Sequence, residues 1–136
     1  LPNGRWPIRL VYVRPEGFVF PRAVPAVGLA RRLREDDGWC DEPGDRNYNR
    51  PVRHPYPANA EHLWRADHLY DVILVLGHND CPRRRGMGSA IFLHLLRRTS
   101  DDGAILATEG CIGLAARDLK IVLSRFRRSS AVRVLG

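Results

Sequence analysis

The chain has 136 residues, of which 44% are hydrophobic and 27% are charged. This composition is ordinary for one globular domain with a core, and it excludes collagen-like or low-complexity chains. No apolar run approaches the roughly eighteen residues of a membrane-spanning helix. No signal-peptide pattern occurs at the start, and because the chain begins at Leu1 rather than Met, we expect its native N-terminus to be missing.

The net charge of +7 comes from arginine, since Lys120 is the only lysine. Arginine forks suit carboxylates and phosphates, so nucleic acid and an anionic polymer are both candidate partners. A solvated cationic surface without a specific partner is the third interpretation. The aromatic residues are not interleaved with the arginines as a nucleic-acid stacking platform requires, and this disfavours nucleic acid as the partner.

The first half of the chain predicts short strands and one long loop. Residues 8–13 are apolar, β-branched or aromatic between two prolines and predict a strand. Short strands are also expected at 18–20 and 28–34. Residues 36–57 predict a long irregular segment, rich in Pro, Asp, Asn and Arg, and a loop of that length in a small domain is usually functional or disordered. Asn59 is a plausible N-cap for a short helix at 60–66.

Residues 71–76 form a continuous apolar run and predict the best core strand of the chain. The strand delivers His78 and Asn79 to its end, where polar side chains are well placed to line a cleft. We therefore consider them substrate-side candidates, with a turn-forming role as the alternative. A basic loop follows at 81–88.

Residues 88–94 predict a half-buried strand that ends on a histidine. Because side chains alternate along a strand, Phe92 and His94 are expected on one face, and Ile91 and Leu93 on the other. A polar, exposed loop is expected at 99–103. Residues 105–107 would then return beside the strand of His94.

Cys111 follows Gly110, and a glycine there permits a sharp turn with free backbone N–H groups. A thiol on such a turn near an imidazole is the layout of a Cys/His nucleophile pair. His94 would take the thiol proton, and the N–H groups around Gly110 and Cys111 would hold an oxyanion. The alternative is a buried structural cysteine and a core histidine bonded to backbone.

A helix is predicted at 115–126, with an apolar stripe of Leu119, Val122, Leu123 and Phe126. Asp118 in the first turn and three arginines at the end (Arg125, Arg127 and Arg128) match the helix dipole. The N-terminus of this helix would favour the Cys111 thiolate. Residues 131–135 predict a closing strand.

The other two cysteines leave alternatives open. If Cys111 is the nucleophile, it must stay free, and Cys40 and Cys81 are able to pair in an oxidising compartment. A zinc site from these cysteines and nearby histidines has no CxxC or HxxxH spacing to support it.

Several blocks of sequence together resemble a known family. Gly88-Ser89-Ala90-Ile91-Phe92-Leu93-His94 and Thr108-Glu109-Gly110-Cys111-Ile112-Gly113-Leu114 are similar to the catalytic core of the L,D-transpeptidase (YkuD-type) domain. Further blocks resemble a proteobacterial branch of that family, and they are Trp39-Cys40-Asp41-Glu42-Pro43, Tyr48-Asn49-Arg50, Leu69-Tyr70-Asp71 and Leu76-Gly77-His78-Asn79-Asp80.

The resemblance implies a single catalytic domain over residues 1–136 whose N-terminal part is missing. The implied fold is mixed α/β and β-rich, a curved sheet or sandwich with one main helix after the catalytic cysteine. The implied activity is peptidoglycan L,D-transpeptidation in the periplasm or cell envelope, with carbapenem β-lactams as covalent inhibitors. Cys111 would be the nucleophile and His94 the general base and acid. The chemistry needs no metal or organic cofactor.

The same resemblance implies roles for the neighbouring residues. Gly110 and Glu109 would contribute backbone groups to the oxyanion site. The substrate-binding candidates are His78, Asn79, Ser89 and Thr108, and the Trp-Cys-Asp and Tyr-Asn motifs are expected near the cleft. The partner would be peptidoglycan stem peptides rather than nucleic acid.

The chain departs from the family pattern at two positions. Glu109 stands where most members have a second histidine, and Gly113 stands where they have Arg or Asn. A carboxylate contact from position 113 therefore does not carry over, and Arg117 or the run 83–85 are candidate substitutes. Three alternatives follow: an L,D-carboxypeptidase that uses water as acceptor, a silent wall-binding module, and a basic nucleic-acid-binding domain.

Overall fold

The computed structural model describes residues 1–16, 29–96, 105 and 107–136. Within them it contains nine strands and one helix. In chain order these are β1 (Gly4–Val13), β2 (Ala30–Arg32), β3 (Asp37–Cys40), β4 (Pro51–Arg53), β5 (Ala60–His62), β6 (Val72–Leu76), β7 (Phe92–Leu95), β8 (Ile112–Leu114), α1 (Ala116–Ser124) and β9 (Ala131–Val134).

The main sheet has the order β2-β1-β6-β7-β8, and β9 pairs with the first half of β1. Every residue of β6 is buried, as its continuous apolar run predicts. β6 is antiparallel to both β1 and β7, whereas β8 runs parallel to β7. The predicted β-rich, mixed α/β class is confirmed, as are the strands predicted at 8–13, 71–76 and 131–135, which differ only in their bounds.

Strand alternation divides the core into two clusters, one on each face of the main sheet. On β6, residues Val72, Leu74 and Leu76 belong to the first cluster, while Ile73 and Val75 belong to the second. On β7, Leu93 belongs to the first and Phe92 to the second. The predicted alternation of this strand is therefore confirmed.

The helix α1 covers the first face. Leu119, Leu123 and the following Phe126 are buried there, as the stripe predicts. Val122, also expected in the stripe, is exposed at its surface. The helix ends at Ser124, so the arginines expected to neutralise its last turn lie beyond it. Among the described residues no helix has the length and apolar character to cross a bilayer.

A small second sheet, ordered β4-β3-β5, covers the other face. The prediction of a helix at 60–66 is wrong, because residues 60–62 form β5 and pair with β3. The prediction that 36–57 is wholly irregular is also wrong, since it contains β3 and β4. Both strands are short, and each is stabilised by pairing with a partner distant in sequence, which local propensity does not report.

The remaining predictions concern residues that the structure does not describe or strands whose bounds differ from those expected. The strand at 18–20 and the loop at 99–103 lie outside the described residues. The strand expected at 28–34 is present as β2, over Ala30–Arg32. Among the described residues β7 pairs with β6 and β8, and the expected return at 105–107 lies partly outside them, since residue 106 is not described.

Candidate active site

Strand pairing brings the predicted nucleophile and base together. β7 and β8 lie side by side with His94 opposite Gly113, so Cys111, just before β8, lies level with the start of β7. The backbone N–H of Phe92 donates to Cys111 Sγ at 3.4 Å. His94 and Cys111 then line one cavity on the second face of the sheet.

This cavity, which we call the reactive cavity, encloses about 250 Å³. Its lining combines the nucleophile pair, acidic side chains, hydroxyls and a few apolar groups. The lining residues are Asp41, Glu61, Leu69, Tyr70, Ser89, Ala90, His94, Ala107, Thr108, Glu109 and Cys111. Five of the predicted site residues therefore line one cavity: Cys111, His94, Ser89, Thr108 and Glu109.

Cys111 is half-buried and its thiol is the neutral form at rest. Its sulfur donates to the carbonyl of Ala90 at 3.3 Å. Burial raises the pKa of Cys111, and the negative charge of Glu61 acts in the same direction, against the N–H of Phe92. The expected thiolate stabilisation by the helix N-terminus is wrong, because β8 separates Cys111 from the start of α1 at Ala116, and a helix dipole acts only near its first turn.

His94 is 3% exposed and lies on the same face as Phe92. Its Nδ1 lies 2.7 Å from the carbonyl oxygen of Leu95. A carbonyl only accepts hydrogen bonds, so Nδ1 carries the proton of the neutral ring and Nε2 is a proton acceptor. Burial lowers the pKa of His94, so the imidazole is neutral at pH 7. The resting site thus holds a thiol and an unprotonated base rather than a preformed ion pair.

Tyr70 and Glu61 are two site residues that the sequence analysis did not assign. The Tyr70 hydroxyl donates to Glu61 Oε1 at 2.6 Å, and the Tyr70 ring meets the His94 ring edge-on at 5.2 Å. Burial raises the pKa of Tyr70, and Glu61 adds to this effect. Tyr70 lies two residues before β6, and polar groups at the ends of buried strands are the signal that points to it. Glu61 carries no such signal, because its strand was predicted as a helix.

The turn before β8 has the features expected of an oxyanion site. Gly110 has a φ of +105°, a conformation that favours glycine. Within residues 1–16, 29–96 and 107–136, the N–H groups of Gly110 and Cys111 donate no hydrogen bond. The Thr108 hydroxyl donates to the carbonyl of Cys111 at 2.5 Å and closes the turn. Glu109 is exposed and lines the reactive cavity.

The motifs before β6 contribute in different ways. Asp41 lines the reactive cavity and accepts a hydrogen bond from Ser89. Trp39 packs edge-on against Phe92 at 5.3 Å between ring centroids. Asn49 is buried, and its Oδ1 accepts from the Trp39 indole at 3.0 Å and from the N–H of Ala90 at 3.2 Å. These motifs therefore lie at the cleft, as predicted.

His78 and Asn79 do not line the reactive cavity, and their role in binding substrate stays a prediction. His78 packs edge-on against Trp6 and its Nε2 contacts the carbonyl of Met87. Asn79 donates to the carbonyls of Arg84 and Gly88 and accepts from the N–H of Arg84. Both side chains organise the loop 79–88, which is the turn-forming alternative.

The candidate replacements for the absent Arg or Asn are not in the cavity either. Arg117 is exposed on α1, and Arg83 borders a different pocket with Arg9 and Arg50. All three cysteines are free: Cys40 is buried, Cys81 exposed and Cys111 intermediate. In the described ranges, no group of His, Cys, Asp and Glu is spaced to hold a metal ion.

Comparison with family models, with curated proteins and with solved structures finds no match for this chain.

Proposed function

We propose that the reactive cavity performs acyl transfer through a thioester on Cys111, and that its substrate is a peptidoglycan stem peptide. The observation that carries the proposal is the convergence of Cys111 and His94 on one cavity. His94 lies on β7 and Cys111 directly before β8, two strands that neighbour each other only after folding, and both residues were selected from sequence motifs alone. The sequence resemblance to the L,D-transpeptidase domain supplies the substrate class and the finer fold type.

Acylation begins from a neutral pair. His94 Nε2 takes the thiol proton as Cys111 Sγ attacks the carbonyl of the third residue of a donor stem. The N–H groups of Gly110 and Cys111 stabilise the oxyanion that forms. The intermediate collapses as the carbon–nitrogen bond to the terminal D-residue breaks, and His94 returns the proton to the leaving amine. The thioester remains on Cys111.

Deacylation reverses the proton path. An amine of an acceptor stem attacks the thioester carbonyl while His94 takes its proton. The carbon–sulfur bond breaks, the thiolate recovers the proton from His94, and a cross-linked peptide leaves. Water in place of the amine gives carboxypeptidase activity. The raised pKa of Cys111 favours this order of events, because the base and the thiol begin uncharged in a half-buried site.

The test is turnover of a stem tetrapeptide with a diamino acid at the third position, followed by chromatography and mass spectrometry. We expect the wild-type chain to release the terminal D-residue and to form a cross-linked or hydrolysed product. Cys111→Ala should form neither product. Cys81→Ala is the matched control, because this exposed thiol lies outside the reactive cavity, and it should retain full activity. Turnover by Cys111→Ala would refute the proposal.

A further inference from the structure

The polar lining of the reactive cavity is dominated by acidic side chains. Asp41, Glu61 and Glu109 all border it. The chain carries 22 Lys and Arg against 15 Asp and Glu, yet in the described part of the chain no Lys or Arg lines this cavity. The charge of the cavity is therefore opposite in sign to that of the chain as a whole.

The hydroxyl groups of the cavity offer no free donors. Tyr70 donates to Glu61 at 2.6 Å, and Ser89 donates to Asp41. Thr108 donates to the carbonyl of Cys111. These bonds fix the orientation of both carboxylates and leave their remaining lone pairs for a ligand.

His94 is a further hydrogen-bond acceptor that the cavity offers to a ligand. It is 3% exposed, and its Nδ1 is bonded to the carbonyl of Leu95. In the described part of the chain, Nε2 has no hydrogen-bond partner, although the ring lines the cavity. An imidazole nitrogen that lines the cavity is able to accept a hydrogen bond from a ligand.

The carboxylates also crowd one another. Burial raises the pKa of Asp41 and of Glu61, and Glu109 adds to the effect on both. Asp41 further raises the pKa of Glu61, against the opposing influence of Tyr70 and Arg65. A cation placed among these groups offsets the repulsion between their negative charges.

From these contacts we infer that the reactive cavity binds a primary ammonium group of its peptide substrate, with Glu61 and Asp41 as its counter-ions beside Cys111. An ammonium carries three donors and a compact charge, which matches a cavity of acceptors. This inference rests on the proposed function for one point: there, the ammonium is the side-chain amine of the diamino acid in a stem peptide. The donor and the acceptor stem both carry such an amine.

Equilibrium binding to the Cys111→Ala protein tests the inference without requiring catalysis. The probes are the stem tetrapeptide with a free side-chain amine and the same peptide with that amine acetylated, titrated by calorimetry at pH 7. We expect acetylation to weaken binding at least about tenfold, as the loss of a desolvated charge-assisted contact does. Equal affinities for the two peptides would overturn the inference, whatever any variant does.

Two isosteric variants then locate the ammonium. In the Cys111→Ala background, Glu61→Gln keeps an acceptor for Tyr70, and Asp41→Asn keeps one for Ser89. Each should reduce the preference for the free amine, and together they should abolish it. Glu35→Gln is the control, because Glu35 borders a separate pocket. A preference for the free amine that survives both substitutions would overturn the assignment to Glu61 and Asp41.

Kinetics on the reactive wild-type chain distinguish the two sources of the amine. If the donor amine is bound, acetylation of the donor slows acylation of Cys111 in a single turnover. If the acceptor amine is bound, acetylation of the donor leaves thioester formation unchanged, and the Glu61→Gln and Asp41→Asn substitutions slow attack of the acceptor amine on the thioester instead. An ammonium preference in binding without any acylation of Cys111 would refute the proposed function and leave the cation site in place.

Discussion

The two faces of the main sheet differ in chemistry although they share the same strands. The face under α1 is aliphatic, with Leu74, Leu93, Leu119 and Leu123 among its buried residues. The face under the small sheet is aromatic and mixed with polar groups, including Trp39, Tyr70, Phe92 and the neighbouring His94. Because neighbouring residues of one strand point to opposite faces, one face provides cohesion and the other positions the site.

The comparison teaches how a small domain combines stability and reactivity. The aliphatic face gains stability from burial alone, at about 25 cal/mol per Å² of apolar surface removed from water. The aromatic face contains a buried imidazole, a half-buried thiol and a carboxylate with a raised pKa. Those groups are unfavourable in a protein interior, so we interpret them as functional rather than structural.

The largest expected effect on the aromatic face is a loss of acylation rate in His94→Gln. Removing the base should lower the rate of Cys111 acylation by about 10²–10⁴-fold, the usual contribution of general acid–base catalysis. Thermal stability should change little, because a glutamine of similar size occupies the site. Acylation followed by intact-mass spectrometry measures the first quantity and a melting curve the second. A variant that acylates at the wild-type rate would show that the imidazole is structural.

On the aliphatic face under α1, we expect a substitution to lower stability and to leave the acylation rate unchanged. Leu119→Ala should cost about 2–5 kcal/mol of unfolding free energy, because Leu119 is fully buried under α1. The acylation rate of the folded variant should remain near that of the wild type. Val122→Ala on the same helix is the control and should cost under about 1 kcal/mol, since Val122 is exposed. Urea denaturation measures the unfolding free energies of the two variants, and intact-mass spectrometry measures their acylation rates.

Asn49 connects the aromatic face to the site, and its loss should affect both properties. Its amide nitrogen donates to the carbonyls of His78 and Asn79, and its oxygen accepts from Trp39 and Ala90. Asn49→Ala should therefore cost about 2–3 kcal/mol, from buried groups left without partners, and should also slow acylation. Asn47→Ala, which loses one side-chain bond to Tyr56, should have the smaller effect on stability. Equal effects in urea denaturation would contradict the connecting role.

The smallest expected effect is a gain in thermal stability, from Glu61→Gln. The pKa of Glu61 is raised by burial, so its ionisation opposes folding, and this cost grows as pH rises through that pKa. Glu61→Gln should raise the melting temperature at pH 7 by about 2 °C, the size expected for roughly half a kcal/mol in a chain of this length. The difference should shrink as pH falls and disappear near about pH 3, where the glutamate of the unfolded chain is also protonated. A melting temperature at pH 7 below that of the wild type would contradict this account of Glu61.

The sequence was informative where a pattern is local. The apolar run of β6 and the alternation of Phe92 and His94 follow from residues adjacent in the chain, and the structure confirms both. The turn at Gly110 was likewise predicted from the local sequence, and the structure gives Gly110 a positive φ. These predictions need only strand periodicity and turn chemistry.

The sequence was misleading where distant pairing decides the outcome. Ala60-Glu61-His62-Leu63 is compatible with a helix or a strand, and only pairing with β3 selects the strand. Glu61 and Tyr70 meet because β5 and the start of β6 are adjacent in space, which no local pattern shows. The sequence predicted that the helix would favour the Cys111 thiolate, whereas burial raises the pKa of Cys111 and a short strand, β8, lies between the cysteine and the helix.

The most direct test of the account is the mass of the Cys111-containing peptide after brief exposure of the wild-type chain to the donor tetrapeptide. The account predicts an increase equal to the acyl group of the donor without its terminal residue, found on Cys111 and absent from Cys40 and Cys81. It further predicts that the adduct accumulates far more slowly in His94→Gln. No adduct, or an adduct spread over the three cysteines, would contradict the claim that Cys111 and His94 form one nucleophilic site.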